Sequence, residues 1–126
     1  YRMTDIQSAL GISQMNRLDE FVERRHIIAD KYNKNLSELF LNKPFQHEDS
    51  YSAYHLYVIR LKIDEISKTQ NQVYQDLHNA GIAVNLHYIP VYRHPYYEKL
   101  GFKEGYCPEA ESYFNEALSI PMYPAL

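Results

Sequence analysis

Asn79-Ala80-Gly81-Ile82-Ala83-Val84-Asn85-Leu86-His87-Tyr88-Ile89-Pro90-Val91 is the stretch on which the reading of the fold turns. Ahead of it, Val73, Leu77 and Ala80 share one face of a segment running from about Gln70 to Asn79, the spacing of a half-buried helix. Ala80-Gly81 stops that helix, with glycine at the position past the cap where a left-handed backbone is favoured. From Ile82 to Tyr88 the pattern changes to the alternation of a strand. Pro90, with no N–H to give to a ladder, breaks it. A helix handed over to a strand across a glycine marks mixed α and β structure.

Working outward toward the start, Thr4 and Gln7 form a capping box, so a helix begins at about Asp5. Apolar residues then recur at helical spacing through Ile6, Leu10, Leu18, Phe21, Val22, Ile28, Ala29, Tyr32, Leu36 and Leu39. That is long for a globular helix, and it reads as one long element or as two joined by a bend. Gly11 and Ser13 weaken its first third, and a glycine there would admit another backbone closely. Asn42-Lys43-Pro44 ends it. His47 to Ser52 reads as a polar loop, and Tyr54-His55-Leu56-Tyr57-Val58-Ile59-Arg60-Leu61 as a strand. Lys62 to Thr69 is a loop. Toward the other end, Pro95 to Leu100 reads as a short helix. Pro108, with Glu109 and Glu111 in the first turn, opens a further helix ending near Leu118. Ser119 to Pro124 is expected as a short edge strand. The expected architecture is α+β: a small, mostly antiparallel sheet packed by one long N-terminal helix and two shorter helices.

A chain of 126 residues, 45% hydrophobic and 23% charged, has the composition of one globular domain large enough to bury a core. Its net charge of −3 argues against an electrostatic nucleic-acid binder. The single cysteine, Cys107, excludes an internal disulfide framework and fits a reducing, cytoplasmic setting. No apolar run has the length of a membrane span, so no membrane partner is expected. Tyrosine supplies 13 residues against 5 phenylalanines and no tryptophan, which suits half-buried surfaces with a polar tip. Most of these rings are expected to finish a core; Tyr88, Tyr92, Tyr96 and Tyr97 form the cluster with most to offer a ligand. The chain starts without Met, on Tyr-Arg leading into a helix, and is expected to be a fragment.

The corner His87-Tyr88-Ile89-Pro90 is the best candidate site. Strand ends that run into proline-held turns project side chains into a cleft or into solvent. His87 can donate, accept or become a cation beside an anion. Tyr88 adds a hydroxyl, and Arg93 and His94 follow within a few residues, a set suited to phosphate or diphosphate. A capped strand end with unrelated surface histidines fits the same residues. Arg2 precedes a helix N-terminus, whose free N–H groups favour an anion and to which an arginine fork would add bidentate reach. From the residues alone, an exposed surface arginine is the simpler reading. The six histidines and Cys107 show no metal-ligand spacing, and no metal is expected. His55 reads as a structural histidine within its strand, and His26, His47 and His78 as surface. No nucleophile elbow or phosphate-binding glycine loop is present, and Cys107 has no visible activating base. Glu23-Arg24-Arg25-His26 reads as a solvated, charge-mixed helix face.

Tyr1-Arg2-Met3-Thr4-Asp5-Ile6-Gln7-Ser8-Ala9-Leu10-Gly11 resembles the end of a signature of the DegT/DnrJ/StrS family of vitamin B6-dependent sugar aminotransferases, whose leading Asn would precede Tyr1. Leu18-Asp19-Glu20-Phe21 with Arg24-Arg25 resembles the helix that follows. Ser52-Ala53-Tyr54-His55-Leu56-Tyr57 is similar to its Ser-Ala-Trp-His-Leu-Tyr strand. Gly81-Ile82 with His87-Tyr88-Ile89-Pro90-Val91 resembles its His-Tyr-x-Pro-Val turn, and Leu118-Ser119-Ile120-Pro121-Met122-Tyr123-Pro124 its closing Leu-Ser-Leu-Pro-Leu-Tyr-Pro. The matches run in order through nearly the whole chain. They lie nearest the PseC-like branch, which aminates a UDP-linked 4-keto-6-deoxy-N-acetylamino sugar on the way to pseudaminic acid.

The resemblance implies that residues 1–126 are the C-terminal small domain of a fold type I enzyme, with the large domain and its Schiff-base lysine outside this chain. It implies pyridoxal 5′-phosphate held mainly by that large domain, a homodimer, and ping-pong transfer of an amino group from L-glutamate to a nucleotide-linked keto sugar. Surface polysaccharide, flagellin glycan or pseudaminic acid would be the destination. By the same resemblance, Arg2, His87 and Tyr88 meet the diphosphate, in the partner subunit's active site, with Tyr1, Pro90, Arg93 and His94 as further neighbours. No catalytic residue is expected in the chain, and alone it should be inactive. Two alternatives stay open: the dehydratase branch, in which histidine replaces the lysine, and a non-catalytic module that binds nucleotide sugars.

Overall fold

Two antiparallel strands, β2 (Tyr57–Leu61) and β4 (Ala117–Ile120), form the centre of the molecule. The computed structural model describes residues 2–126. Along the chain, α1 (Asp5–Met15) and α2 (Leu18–Asn35) precede β1 (Leu41–Asn42) and β2; α3 (Gln70–Asn79) leads to β3 (Asn85–Leu86); α4 (Pro95–Glu98) and α5 (Pro108–Glu116) precede β4. Single 3₁₀ turns occupy Ile63–Glu65 and Val91–Arg93. The sheet is antiparallel throughout, in the order β1-β2-β4-β3. The α+β architecture therefore holds.

The long N-terminal periodicity resolves into two helices. α1 has the complete capping box, Thr4 Oγ1 accepting from the Gln7 N–H at 3.3 Å and Gln7 Oε1 from the Thr4 N–H at 2.9 Å. It stops at Asn16, and α2 restarts after Arg17. α2 ends at Asn35, well short of Pro44: Leu41 and Asn42 are extended and pair with Leu61 and Arg60. Among the described residues nothing approaches the place a Cβ would take at Gly11, so within this chain no backbone packs closely there.

Alternation along β2 places Tyr57, Ile59 and Leu61 on the face toward α2 and α3, where Ile28, Ala29 and Leu118 complete the core and Tyr32, Leu36, Val73 and Leu77 pack against it. Tyr57 and Leu118 are fully buried. Each such side chain contributes about 1.5–3 kcal/mol relative to an exposed one. The opposite face carries Arg60, whose guanidinium reaches Glu116 of α5 at 2.8 Å and lies over the Tyr113 ring at 5.7 Å.

β4 corrects the expectation of a short edge strand at Ser119 to Pro124. Helix α5 ends at Glu116, the backbone turns extended at Ala117 without an intervening loop, and β4 lies between β2 and β3. Ala117, Leu118 and Ser119 are all buried, so the segment lacks the in–out alternation that would have marked it as a strand. Two other strands are shorter than expected. β3 holds only Asn85 and Leu86, the positions that pair with Ser119 and Leu118. β2 begins at Tyr57, because Tyr54 adopts a left-handed backbone (φ 44°) and bends the entry. The stop at Gly81 is as expected: at φ 79° its N–H donates to the His78 carbonyl, and that of Ile82 to Leu77, a Schellman closure.

α2 is far less solvated than the run Glu23-Arg24-Arg25-His26 suggests. Arg25 Nη1 donates to the carbonyls of Tyr54 (2.7 Å), His55 (3.0 Å) and Met122 (3.3 Å). His26 Nε2 lies 2.8 Å from the Ser52 carbonyl, its ring stacked on Tyr51 at 4.3 Å. His55, by contrast, precedes β2 and is exposed, so the structural role belongs to His26 instead. Between α2, α3 and the sheet runs an apolar groove of about 750 Å³, lined by residues such as Leu36, Leu41, Ile66, Leu77 and Ile82, and reaching Leu126.

Candidate functional site

His87 is placed by the strand that precedes it. Asn85 pairs with Ser119, a buried polar residue of the central strand β4, and His87, two residues further on, meets Ser119 diagonally. His87 Nε2 and Ser119 Oγ are 2.8 Å apart, and the imidazole meets the Tyr113 ring of α5 edge-on, with centroids 5.6 Å apart. The ring is thus fixed from two elements. Tyr88 follows with 92% of its surface exposed, the largest exposure of any tyrosine among the described residues. The corner thus combines a half-buried, anchored imidazole with an exposed phenol.

Pro90 then opens the 3₁₀ turn Val91–Arg93, closed by the Arg93 N–H on the Pro90 carbonyl at 2.8 Å. Here the candidate residues diverge. Arg93 lies among three carboxylates: Glu104 at 3.3 Å, Glu98 at 3.5 Å and Glu111 at 3.8 Å. Its Nε is buried without a hydrogen bond. An anion approaching Arg93 therefore meets an acidic surround, and this guanidinium ties together the segment 93–111. The Tyr92 hydroxyl donates to Glu111 Oε1 at 2.6 Å and accepts from the Cys107 N–H at 3.3 Å. The Gly105 N–H reaches both Glu111 oxygens, at 2.8 and 3.0 Å. The Tyr92 hydroxyl, the Gly105 N–H and the Arg93 charge, in that order, hold the Glu111 carboxyl below the usual range. Burial first, then the carboxylate, pushes the Tyr92 phenol up.

The tyrosine cluster divides in the same way. Tyr92 packs on Tyr106 (5.5 Å), Tyr106 on Phe102 (5.1 Å) and Tyr97 on Tyr96 (5.2 Å), so these rings pair with one another at the surface of the segment, while Tyr88 stands apart. His94 is exposed. Arg2 is exposed just ahead of α1, and among the described residues Arg2, His87 and His94 form no ion pair. Tyr1 lies outside the described residues. A recess of about 180 Å³ beside the corner, lined by Pro90, Arg93, Glu104, Glu111, Phe114 and Asn115, is below the roughly 300 Å³ of ordinary ligand pockets. The large apolar groove contains none of the candidate residues and offers a charged ligand few partners. Sequence reasoning missed Ser119 as the partner of His87 and Glu111 of α5 as the group on which Tyr92, Arg93 and Gly105 converge; the one available signal was a serine set between apolar residues in Leu118-Ser119-Ile120.

Three of the chain's seven lysines are held by partners within the fold. Lys43 Nζ is bound to the Asn33 carbonyl at 2.8 Å, Lys62 pairs with Glu65 at 3.2 Å, and Lys68 with Asp76 at 2.6 Å. Among the described residues no cluster of His, Cys, Asp and Glu is arranged to hold a metal, and no helix is long and apolar enough to cross a membrane.

A small α+β domain with an anchored imidazole and an exposed phenol at a sheet edge is the class defined so far. The model of the DegT/DnrJ/EryC1/StrS aminotransferase family matches residues 1–126, and the chain belongs to that family. It is 39% identical to the spore coat polysaccharide biosynthesis protein SpsC of Bacillus subtilis (strain 168), over 98% of this chain and 33% of the relative. It is 34% identical to the UDP-4-amino-4,6-dideoxy-N-acetyl-beta-L-altrosamine transaminase of Campylobacter jejuni subsp. jejuni serotype O:2, over 98% of this chain and 32% of the relative. The PMP form of the sugar aminotransferase Spr1654 from Streptococcus pneumoniae, itself described as putative, superposes with a TM-score of 0.88 at 30% identity, over 99% of this chain and 32% of that one. The chain thus spans about a third of the length of the proteins it matches.

Proposed function

We propose that this chain is the C-terminal small domain of a pyridoxal phosphate-dependent aminotransferase that moves an amino group from glutamate to a nucleotide-linked 4-keto-6-deoxy sugar, UDP-linked as in the pseudaminic acid branch. The observation that carries this reading is the His87-Tyr88 corner, an imidazole anchored on Ser119 beside a phenol presented to solvent, in a chain of this family. In this reading the cofactor, held by the larger domain, supplies the amino-group chemistry. The part played by the present residues is recognition. His87, as donor or cation, and Tyr88, through its hydroxyl, bind the diphosphate. Arg2 adds a guanidinium at the N-terminus of α1, where free amide groups and the helix dipole favour an anion. In the proposed homodimer these groups complete the partner's cleft. Pro90 holds the corner, and His94 stands at its rim.

Two measurements test the proposal. The full-length protein, reduced with borohydride in the presence of pyridoxal phosphate and then peptide-mapped, is expected to carry the label on a lysine upstream of Tyr1. Bound cofactor without a labelled lysine would favour the dehydratase branch instead. The isolated 126-residue chain is expected to show no amination of a nucleotide keto sugar. Activity recovered from it would overturn the assignment of the chemistry to the larger domain.

A further inference from the structure

We infer that Ser119 is a positioning residue for ligand binding, acting through His87. The inference rests on the reading of His87 as a diphosphate ligand given above. Ser119 is buried at 5% exposure in the central strand, on a sheet face otherwise carrying Val58 and Arg60 in the adjoining strand. A polar side chain placed there costs stability unless it is satisfied. Its Oγ lies 2.8 Å from His87 Nε2, and it is the one group hydrogen-bonded to that ring among the described residues. Nδ1 is left as the ring nitrogen without a protein partner.

A hydroxyl is suited to this place for a specific reason. It donates to Nε2 when the imidazole is neutral with its proton on Nδ1, and it rotates to accept from Nε2–H when the ring is cationic. In both states Nδ1–H remains available as a donor to an anion. A carbonyl in the same place would accept only, and a fixed N–H donor would oppose the cation. The edge-on Tyr113 ring closes one side of the imidazole and restricts its swing. Register makes the arrangement rigid: Asn85 and Leu86 pair with Ser119 and Leu118, so the distance from Ser119 to the residue following β3 is set by the ladder.

The test is a double-mutant cycle in the full-length enzyme, with UDP as the probe and its Kd measured by calorimetry. Ser119→Ala is expected to weaken UDP binding about fivefold, and His87→Ala about tenfold, the scale of one charge-assisted hydrogen bond. The double variant should bind within about twofold of His87→Ala, because Ser119 then has nothing to orient. Ser119→Thr, which keeps the hydroxyl, should bind within about twofold of the parent. Ser119→Cys keeps the shape of the side chain, slightly enlarged, but hydrogen-bonds weakly; it should lose affinity as the alanine variant does, and it serves where alanine impairs folding. If Ser119→Ala and Ser119→Cys bind UDP like the parent while His87→Ala does not, the positioning role is overturned and the reading of His87 stands. The positioning role is overturned equally if the Ser119 loss persists undiminished without His87. If His87→Ala binds UDP normally, the diphosphate role of His87 itself falls.

Discussion

α1 and α2 follow one another with a gap of two residues, yet they are helices for opposite reasons. α1 has a complete capping box and buries nothing; Ile6, Leu10, Ile12 and Met15 are all largely exposed. α2 has no side-chain cap at either end, but it places Ile28 and Ala29 in the core and sends Arg25, His26, Tyr32 and Asn33 to partners elsewhere in the chain. A capping box is worth about 1 kcal/mol, whereas most helical stability in a domain comes from packing one face. The first helix is therefore specified locally and the second by its surroundings.

The contrast can be broken first with paired truncations. Ile28→Ala in α2 should cost about 2–5 kcal/mol in urea denaturation of this chain, the range for a buried isoleucine. Ile6→Ala in α1 should stay within about 0.5 kcal/mol, as for an exposed site. Equal losses would mean that α1 packs in solution where this structure leaves it bare.

Arg25→Ala comes next. It removes the hydrogen bonds from one guanidinium nitrogen, Nη1, to three carbonyls that are far apart in sequence, and a loss of about 2–3 kcal/mol is expected. A solvated arginine, as the local sequence suggests, would show almost no change.

The tyrosines under α2 sharpen the same point through pH. Burial, then the neighbouring Tyr54 and Tyr32, push the Tyr57 phenol up to about 12, and Tyr32 and Tyr54 are raised by burial as well. Unfolded tyrosines ionise at about 10. The stability contributed by the protonated Tyr57 is therefore complete below pH of about 10 and is lost as pH rises through about 12. The urea midpoint should fall over this window, and Tyr57→Phe should flatten the fall. A midpoint that declines with the same slope in that variant would place the titration elsewhere. Tyr57→Phe also frees Asn33 Oδ1, which accepts from the hydroxyl at 2.6 Å.

The smallest effect belongs to the caps. Thr69→Ala in α3 breaks a capping box of the same kind as that of α1, in a helix packed through Val73 and Leu77. It should lower global stability by about 1 kcal/mol, while Thr4→Ala should speed amide exchange within α1 and leave the unfolding midpoint where it was. A shift in the midpoint with Thr4→Ala would show α1 coupled to the core.

The same division explains what could be read beforehand. The limits of α3, the stop at Gly81 and the start of α1 follow from residues within four positions of each other, and these expectations match the structure. The bend at Asn16-Arg17 was visible as an over-long helical pattern, but its place was not, because neither residue breaks helices strongly. β4 was misplaced because burial on both faces erases alternation. Arg25 and His26 looked solvated because their acceptors lie 26–97 residues away. At the candidate site, His87 and Tyr88 were legible as neighbours at a strand end. The diverging environments of His87 and Arg93 were not: the carboxylates around Arg93 come from α4, from α5 and from the loop between them, and Ser119 reaches His87 only through strand pairing.

By itself, the sequence determined the helix boundaries that rest on caps and glycine, the mixed α and β class, and membership of an aminotransferase family through motifs kept in order. Tertiary structure alone decided that Ala117–Ile120 is central, that Arg25 fastens the core, and that His87 is the anchored member of the candidate site. The physical reason is range. Caps and turns close hydrogen bonds over three to five residues, within reach of a short window, whereas strand register and buried polar contacts join positions that only the collapsed chain brings together.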